Sequence, residues 1–346
     1  MHTAGRDMRL VSIIIPTRNR TQYLRGALES IQEQRFALGG YEIIVVDNGS
    51  TDDTRQVVGA LNKSGTKEIR YVYDDRPGLH IGRHRGAEVA QGGILLYGDD
   101  DIVASPDWVA EIARCYQDSR VGVVGGKIVP CWEAEPLPWV EAFRDYLSLL
   151  DVGEGIQQLH TANDMCGCNL SVRRDVLFEV GGFNPDAMPQ EFIKYRGDGE
   201  TALMNKVLWS GYRLVYNGRA IVEHVISPDR LTMDYFKRRA FNQGISNSFT
   251  DVRAAHGLDL RDAVRPKGVL SYAYRYVRAC KRCIKRCLFW KVPSTNAQKY
   301  KEISEELHHS HAQGWAFHRK SLSEDALLLE YVLRDNYLGA NGELPI

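Results

Sequence analysis

Along the first 130 residues, short apolar runs rich in β-branched residues alternate with segments of helical periodicity, and this alternation restricts the fold more than any other feature of the chain. The run at residues 10–15, LVSIII, predicts a strand buried on both faces. The apolar positions after it have the spacing of one helical face: Leu24, Ala27, Leu28 and Ile31. The same order recurs three more times, so we expect an α/β fold with a parallel sheet and helices on both faces.

Polar side chains follow each of the four predicted strands. They are Thr17, Arg18, Asp47, Asp74, Asp75 and Asp99 to Asp101. The carboxyl ends of parallel strands form the edge at which open α/β sheets bind ligands. Each position alone is also explained by an ordinary polar loop or a helix cap, and Ser50 or Thr51 is expected to cap the second helix. Recurrence at four strand ends favours a ligand site.

The stretch LLYGDDDIV, residues 95–103, places three consecutive aspartates directly after the fourth apolar run. Two unit charges about 4 Å apart repel by roughly 4 kcal/mol at an effective dielectric constant of about 20. These carboxylates therefore need either full solvation, as in an exposed acidic turn, or a cation between them. No G-x-G-x-x-G motif follows the first run, which argues against a dinucleotide-binding dehydrogenase.

The chain has 346 residues, 44% of them hydrophobic, which is enough for one large domain with an annex or for two domains. Its 44 basic and 44 acidic residues balance, so overall charge does not indicate a polyanionic partner. The N-terminal apolar run of about six residues is too short for a signal peptide or a membrane span. Seven cysteines, an odd number, favour reduced thiols, so we expect a cytoplasmic protein.

Five ordered blocks of the sequence resemble those of the family 2 glycosyltransferases: VSIIIPTRNR, EIIVVDNGSTDDT, GLHIGRHRGAEVAQGGILLYGDDDIVASPDW, CGCNLSVRRDVLFEVGGFN and GDGETALMNKVLWSGYRLVYNGRAIVEH. The resemblance implies a GT-A type fold, with a Rossmann-like, mostly parallel sheet. Residues 8–130 would form the nucleotide-sugar-binding half and residues 131–250 the acceptor-binding and catalytic half. Residues 258–346 lie outside the resemblance and are expected to form a helical C-terminal extension.

The resemblance also implies a nucleoside diphosphate sugar donor, expected to be a UDP-sugar, and inversion at the anomeric carbon. The D-x-D motif of the family holds Mn²⁺ or Mg²⁺ against the diphosphate, and both ions prefer carboxylate and phosphate oxygens. Asp101 matches the direct metal ligand and Asp99 the residue at the ribose or the metal water, while Asp100 fits either role. His224 matches a histidine that reaches the metal or the diphosphate, although a lone histidine is more often a packed or surface residue.

The same resemblance assigns the nucleotide pocket. Asp47 matches an acidic residue that accepts a hydrogen bond from the imide N–H of uracil or thymine, which suits an acceptor-only carboxylate. Arg83 matches an arginine near the base and phosphates, with an ordinary helix-surface cation as the alternative. The other expected nucleotide-binding residues are Pro16, Thr17, Arg18, Asp75, Asp99 and Asp100.

An inverting transfer is a single displacement, so one carboxylate must accept the proton of the attacking hydroxyl. Members of the resembled family commonly read Gly-Glu-Asp, two residues, then Leu, with the Asp as base. Counting back three residues from Leu203 makes Glu200 the base, while Gly199 stands in place of the first acid. Asp198 is the second candidate, and a helix cap is the alternative role of Glu200.

Two further segments carry less specific signals. Trp132 and Trp139 lie in a proline-rich loop, where their rings either stack on acceptor sugars or pack at the edge of the core. Residues 265–291 contain nine Lys or Arg and no acidic residue, and an amphipathic helix there would suit an anionic membrane surface. No nucleic-acid-binding module is recognisable, so nucleic acid is not an expected partner.

The sequence therefore predicts a metal-dependent, inverting glycosyltransferase that serves glycan or polysaccharide synthesis, either free in the cytoplasm or peripheral on the inner membrane face. Its acceptor would be a glycan, a lipid-linked sugar or a small molecule. A non-catalytic protein that binds carbohydrates or nucleotide sugars on the same fold is the alternative. A nucleotidyltransferase is disfavoured because PTRNRTQ, after the first strand, contains no glycine.

Overall fold

The computed structural model describes residues 10–36, 40–162, 165–258 and 297–345. Within these ranges one sheet contains the strands β1 (Val11–Thr17), β2 (Tyr41–Asp47), β3 (Ile69–Tyr73), β4 (Ile94–Gly98), β5 (Ile102–Ala104), β6 (Val121–Trp132), β7 (Ile156–Leu159), β8 (Asn169–Arg173) and β9 (Arg213–Ile226). The helices are α1 (Thr21–Gln32), α2 (Thr54–Ser64), α3 (Leu79–Val89), α4 (Trp108–Ala113), α5 (Pro138–Ala142), α6 (Arg174–Glu179), α7 (Gly199–Trp209), α8 (Met233–Ala255), α9 (Ala297–Glu324) and α10 (Ala326–Val332).

The sheet has the order β3-β2-β1-β4-β8-β6-β9-β5, with β7 also paired to β9. Strands β3, β2, β1 and β4 are parallel neighbours, as the alternating pattern predicts. Strand β8 runs antiparallel to β4 and β6, and β6 pairs in parallel with β9. The predicted α/β fold is thus confirmed. The predicted division at residue 130 falls within β6, and the residues on both sides of it belong to this one sheet.

Strands β1 and β2 are buried on both faces, as their apolar runs predict. Successive side chains of a strand point to opposite faces of the sheet. Ile13 and Val45 accordingly belong to the core on one face, and Ile14 and Val46 to the core on the other. Because both faces are packed, the polar residues at the carboxyl ends of these strands are held in fixed positions.

Helix α2 begins later than the sequence indicates. The prediction that Ser50 or Thr51 caps it is wrong, because Asp53 occupies the N-cap position. Ser50 is engaged elsewhere: its backbone N–H donates to Asp47 Oδ1 at 2.7 Å, and its hydroxyl accepts a hydrogen bond from the Asn19 N–H at 3.0 Å. The contact with Asn19 ties the loop after β2 to the chain just after β1.

Helices α8 and α9 cross with their backbones in contact. A Cβ atom at Gly244 would lie 2.0 Å from the carbonyl oxygen of His311, and one at Gly314 would lie 1.9 Å from that of Phe241. Any larger side chain at either glycine would force the helices apart. The crossing therefore fixes α8 relative to the C-terminal part of the chain.

The helical extension predicted over residues 258–346 contains α9 and α10 in its described part, residues 297–345. The basic segment of residues 265–291 lies outside the described residues. In the parts of the chain that the structure describes, no helix has the length and apolar character needed to cross a membrane.

The chain after α10 returns to α3 and binds the ring of His84. The Phe183 N–H donates to His84 Nε2 at 2.9 Å, and His84 Nδ1 lies 3.0 Å from the carbonyl oxygen of Tyr337. An N–H can donate only to the unprotonated ring nitrogen, so the ring proton is on Nδ1 and is donated to Tyr337. Burial lowers the pKa of His84 well below its usual value, which keeps the ring neutral.

We expect His84→Phe to lower the free energy of unfolding by about 2 kcal/mol or more, because two buried backbone groups lose their partner at roughly 1–3 kcal/mol each. Chemical denaturation at pH 7 measures this change. His309→Phe, at an exposed position on α9, is the control and should stay within about 0.5 kcal/mol of the wild type. Equal stability of the two variants would contradict the expectation.

Candidate functional site

A cavity of about 470 Å³ opens at the carboxyl edge of the sheet. Its walls are the ends of β1 and β4, helix α3, the first turn of α7 and one face of α8. Of the predicted site residues, it is lined by Pro16, Thr17, Arg18, Arg83, Asp99, Asp100, Asp101, Asp198, Glu200 and His224. The strand order explains this convergence, because β1 and β4 are adjacent parallel strands and end at the same edge.

The first two of the three consecutive aspartates face separate donors. Arg83 Nη2 lies 3.9 Å from Asp99 Oδ1. The Thr17 hydroxyl donates to Asp100 Oδ2 at 2.7 Å, and Arg20 Nε lies 3.2 Å from Asp100 Oδ1. Guanidinium groups inside the cavity therefore offset the repulsion that three adjacent carboxylates would otherwise suffer.

Asp101 is the most heavily paired of the three. Arg20 Nη2 and Arg230 Nη2 donate to its Oδ2 at 2.6 and 2.7 Å, and His224 Nε2 lies 3.4 Å from the same oxygen. Its other oxygen, Oδ1, is buried and has no hydrogen-bond partner among the described residues. A buried polar atom without a partner is unfavourable, so this oxygen is suited to receive a cation.

Adjacent carboxyl groups in this turn have opposite pKa shifts. Burial raises the pKa of Asp100 to about 7, with Arg20 opposing and the charge of Asp101 adding to the rise. Burial would also raise the pKa of Asp101, but its neighbours His224, Arg20 and Arg230 together hold it well below its usual range. Asp101 is therefore the carboxylate that stays charged throughout the neutral pH range.

The ring of His224 is oriented from both sides. Arg230 Nη1 lies 2.8 Å from its Nε2, and its Nδ1 lies 3.0 Å from the carbonyl oxygen of Leu147. A guanidinium group can only donate, so Nε2 accepts and the ring proton is on Nδ1. A backbone carbonyl that binds Nδ1–H orients the ring as it does in metal-binding histidines, but here Arg230 engages the Nε2 lone pair, so Arg230 would have to move before His224 bound a metal.

The carboxylate oxygens and the histidine nitrogen described above suit a hard divalent ion that takes few of its ligands from the protein. The described residues contain no cluster of three His, Cys, Asp or Glu side chains placed to enclose a metal. Mg²⁺ and ions of its kind need only one or two protein carboxylates when water and substrate phosphates complete the shell. Asp101 with its unpartnered Oδ1 and Asp99 could supply those carboxylates, and His224 Nε2 could join them once it no longer accepts from Arg230.

A second group of charges surrounds Glu200, in the first turn of α7. Arg83 Nη1 lies 3.6 Å from Glu200 Oε2 and 3.9 Å from Asp186 Oδ2, and its guanidinium group lies over the Phe183 ring at 5.0 Å. The side chain of Arg83 is only 3% exposed, so it is not a helix-surface cation. Burial raises the pKa of Glu200, the charge of Asp186 adds to the rise, and Arg83 opposes it.

Asp198, the alternative base, occupies the N-cap position of α7 and is held by neutral donors. Asn184 Nδ2 donates to its Oδ1 at 2.9 Å, and the Thr250 hydroxyl donates to its Oδ2 at 2.8 Å. These contacts join the start of α7 to α8. Glu200 is therefore not the residue at the cap position of this helix.

Two predicted nucleotide-binding residues do not line the cavity. Asp47 is buried next to it, where its Oδ2 accepts a hydrogen bond from the Tyr71 hydroxyl at 2.6 Å. Asn48, the residue after it, does line the cavity. Asp75 is exposed and is not part of the lining.

The two tryptophans predicted to stack on the acceptor are also outside the cavity lining. Trp139 is 5% exposed, and its ring packs edge-on against Phe236 with centroids 4.8 Å apart. Trp132 is half-buried and packs against the same core. Helix α5 turns Trp139 towards α8, so the packing alternative describes this ring, while stacking of Trp132 on an acceptor sugar stays a prediction.

Sequence reasoning missed four charged residues of the cavity: Arg20, Asp186, Arg196 and Arg230. Arg20 had a usable signal, since it directly precedes α1 at the carboxyl edge of the sheet, two residues after Arg18. Asp186 and Arg196 lie in irregular chain between α6 and α7, where no periodicity indicates direction. Arg230 belongs to a short turn of helix after β9, six residues beyond His224.

Comparison with known proteins gives matches over most of the chain. Residues 12–181 match the family described as Glycosyl transferase family 2. A glucosyl-dolichyl phosphate glucuronosyltransferase of Haloferax volcanii is 26% identical over 266 residues, 76% of this chain and 84% of that protein. Glycosyltransferase AglE of the same organism is 26% identical over 219 residues, 63% of this chain and 67% of that protein.

A solved structure shares the fold. The mannosyltransferase PcManGT from Pyrobaculum calidifontis, in complex with GDP-Man and Mn²⁺, superimposes with a TM-score of 0.54 at 18% sequence identity. The superposition covers 91% of this chain and 86% of that chain. At this identity the likeness concerns the arrangement of strands and helices.

Proposed function

The chain belongs to glycosyl transferase family 2, and from that premise we propose that it transfers a sugar from a nucleoside diphosphate sugar, with uridine as the expected nucleoside, to an acceptor hydroxyl with inversion. The observation that carries the proposal is that one buried guanidinium group reaches two chemically distinct carboxylates. Arg83 Nη2 lies 3.9 Å from Asp99 and its Nη1 lies 3.6 Å from Glu200. The side chain of Arg83 thus contacts both Asp99, where the leaving group is expected, and Glu200, the expected base.

Asp101, Asp99 and His224 would hold the Mn²⁺ or Mg²⁺ ion. When bound, the ion supplies positive charge to the diphosphate as the sugar–phosphate bond breaks. Arg20 and Arg230 bring two more positive charges to Asp101. We propose that these guanidinium groups also stabilise the negative charge that develops on the departing diphosphate.

Glu200 is the proposed base. It accepts the proton of the acceptor hydroxyl while that oxygen attacks the anomeric carbon, and the electron pair of the breaking C–O bond leaves with the nucleoside diphosphate. Burial and the neighbouring Asp186 raise the pKa of Glu200, which brings it towards the pH at which a general base works best. Asp198 remains the second candidate, and its neutral donors favour a structural role.

The nucleotide would extend from the three aspartates towards the end of β2. We propose Asp47 for the imide N–H of uracil: each of its oxygens accepts one hydrogen bond, from Ser50 N–H and from the Tyr71 hydroxyl, and keeps a further lone pair. The ribose and phosphates would contact the cavity residues Pro16, Thr17, Arg18, Arg83, Asp99 and Asp100. A contact of Asp75 with the base stays a prediction.

The acceptor would enter over the polar face of α8, from which Arg239, Gln243 and Asn247 line the cavity. The relative from Haloferax volcanii is named for a glucosyl-dolichyl phosphate acceptor. We therefore take a lipid-linked sugar as the first acceptor class to test, ahead of free glycans and small molecules. Binding to an anionic membrane surface through residues 265–291 remains a prediction outside the described residues.

The test is a thermal-shift screen of UDP-, dTDP-, GDP- and CDP-sugars with Mn²⁺, with Mg²⁺ and with chelator. A ligand at 100 times its dissociation constant stabilises the fold by about 2.7 kcal/mol. We expect a UDP- or dTDP-sugar to raise the melting temperature more than a CDP-sugar when metal is present, because cytosine lacks the imide N–H that Asp47 would accept. Equal shifts for all four nucleotides would count against that role.

Turnover of the stabilising nucleotide sugar is then measured with and without candidate acceptors. Sugar release or transfer would support the enzyme. Tight metal-dependent binding without any turnover, with lipid-linked, glycan and small-molecule acceptors, would favour the non-catalytic binding protein instead.

A further inference from the structure

A second carboxylate lies beside Glu200, and it has no role in the proposed sugar transfer. Asp186, from the loop between α6 and α7, lies within hydrogen-bonding reach of the Glu200 carboxyl group. Both acids face the same nitrogen, Arg83 Nη1, which is buried and has no hydrogen-bond partner among the described residues. The two carboxyl groups and this cation form a compact unit on one wall of the cavity.

The start of α7 is shaped around Asp186. Gly199 has a φ of +48°, and a Cβ atom there would lie 2.8 Å from both the carboxyl carbon and Oδ2 of Asp186. A side chain at position 199 would therefore displace the Asp186 carboxyl group. This contact explains why glycine stands where the sequence pattern led us to expect an acid: a carboxylate from another part of the chain fills that space.

The Asp186 carboxylate is held by several independent contacts. Arg196 Nη2 lies 2.9 Å from its Oδ1, and the Ala187 N–H donates to the same oxygen at 2.7 Å. Ala187 itself has a φ of +43°, a strained conformation for a non-glycine residue. The carbonyl oxygen of Asp186 accepts a hydrogen bond from the Leu79 N–H at 3.0 Å, which ties the loop to the first turn of α3, the helix of Arg83.

We propose that Asp186 is a positioning residue for the transfer: it shares a proton with Glu200 and thereby sets the pH at which Glu200 can accept the proton of the acceptor hydroxyl. The inference rests on the proposed role of Glu200. Ionised Asp186 would accept a hydrogen bond from protonated Glu200, both before the reaction at acidic pH and after proton transfer from the acceptor. The proton thus stays on Glu200 while Asp186 stabilises it there.

The charges around the pair agree with this division of roles. Burial would raise the pKa of Asp186, but Arg196 and Arg83 outweigh it and lower the pKa, whereas the pKa of Glu200 is raised. Two neighbouring acids whose pKa values are pushed apart are typical of a proton-holding pair. Among the described residues, the titratable or charged groups that face Glu200 are Arg83 on α3, Asp186, Arg196 before α7, and Cys166 and Cys168 before β8.

The experiment is a ¹³C NMR titration of the Glu200 carboxyl group in protein labelled at the glutamate δ-carbons, assigned by the signal missing from Glu200→Gln. In Asp186→Asn the negative charge is gone while an oxygen remains for Arg196 and Ala187. We expect the pKa of Glu200 to fall by about one unit, as expected when a like charge is removed. Asp325→Asn, which breaks the 2.8 Å ion pair with Lys194 away from the cavity, should leave it unchanged.

Asp186→Ser is the second variant. It also removes the charge, and it shows whether an effect of Asp186→Asn comes from the lost charge or from a folding defect that the amide causes. An unchanged Glu200 pKa in a folded Asp186 variant would overturn the inference. The proposed function is tested separately by turnover of Glu200→Gln. If that variant is active, Glu200 is not the base; if it is inactive and the titration does not move, only the role of Asp186 fails.

Once a nucleotide sugar that the protein turns over has been identified, the pH profile of kcat/KM gives a second readout. A base loses activity as pH falls through its pKa, so a lower Glu200 pKa moves the acidic limb to lower pH. We expect that movement in Asp186→Asn and not in Asp325→Asn. A uniform loss of activity at every pH, with the limb in place, would contradict proton sharing and leave Asp186 with a packing role.

Discussion

Glu200→Gln should lower turnover by about 10²–10⁴-fold while nucleotide-sugar affinity and melting temperature stay nearly unchanged. Glutamine keeps the volume of the side chain and one carbonyl oxygen, but its amide cannot accept the proton of the attacking hydroxyl. The measurement is kcat and KM with the nucleotide sugar found in the screen, together with thermal unfolding of both proteins.

Stability should survive because the cation beside Glu200 keeps another partner. Arg83 still faces Asp186 and Asp99 when the charge of Glu200 is gone. A capping role would give the opposite result, a loss of about 1 kcal/mol in stability with most activity retained. The N-cap position of α7 belongs to Asp198, which is why we expect the catalytic outcome.

Two variants control this experiment. Glu191→Gln removes an exposed carboxylate from the turn of helix Gln190–Tyr195 and should leave turnover unchanged. Asp198→Asn tests the other acid of the GDGETAL block. If Asp198→Asn were inactive and Glu200→Gln active, the base would be Asp198 and the alignment that selects Glu200 would be off by two positions.

The parts of the site that the sequence could predict are those set by regular structure. The apolar runs before Thr17 and Asp99 fix two parallel strands, and parallel strands in one sheet end at the same edge. The convergence of these residues on one cavity therefore follows from the pattern. The roles of Arg83 and Glu200 came from resemblance to the family, since a position on one helix does not reveal what lies across the cavity.

The missed residues depend on contacts between distant parts of the chain. Arg230 reaches Asp101 across 129 positions of sequence, and its direction is set by a single turn of helix after β9. Asp186 lies in a loop whose path is fixed by a hydrogen bond to Leu79 and by the space at Gly199. No periodicity exists in such segments, so sequence alone could not place their side chains.

Trp139 shows why aromatic residues in loops are ambiguous. Its flanking prolines indicate an exposed connection, yet the ring packs against Phe236, almost one hundred positions later. Whether an aromatic ring in a loop is buried depends on which element the fold brings over it. That element here is α8, whose place the sequence pattern before residue 130 does not determine.

Asp101→Asn should lower the affinity for Mn²⁺ by at least about 100-fold, because even outer partners of metal ligands contribute about 10–100-fold. Of the three consecutive aspartates, Asp101 is the one whose pKa is lowered, and its buried Oδ1 has no partner among the described residues. The amide keeps the shape of the side chain but removes the charge that a hard divalent ion requires. Electron paramagnetic resonance of free Mn²⁺ measures this binding directly, without an enzymatic assay.

The variant should remain folded, since Arg20 still pairs with Asp100 at 3.2 Å and Arg230 still contacts His224 at 2.8 Å. Thermal unfolding in chelator checks this separately from metal binding. Asp107→Asn is the matched control, because this exposed carboxylate lies six positions further on and pairs with Arg35 at 2.7 Å. It should bind Mn²⁺ as the wild type does. Undiminished Mn²⁺ affinity in folded Asp101→Asn would remove Asp101 from the metal site and leave Asp99 and His224 as the ligands to test.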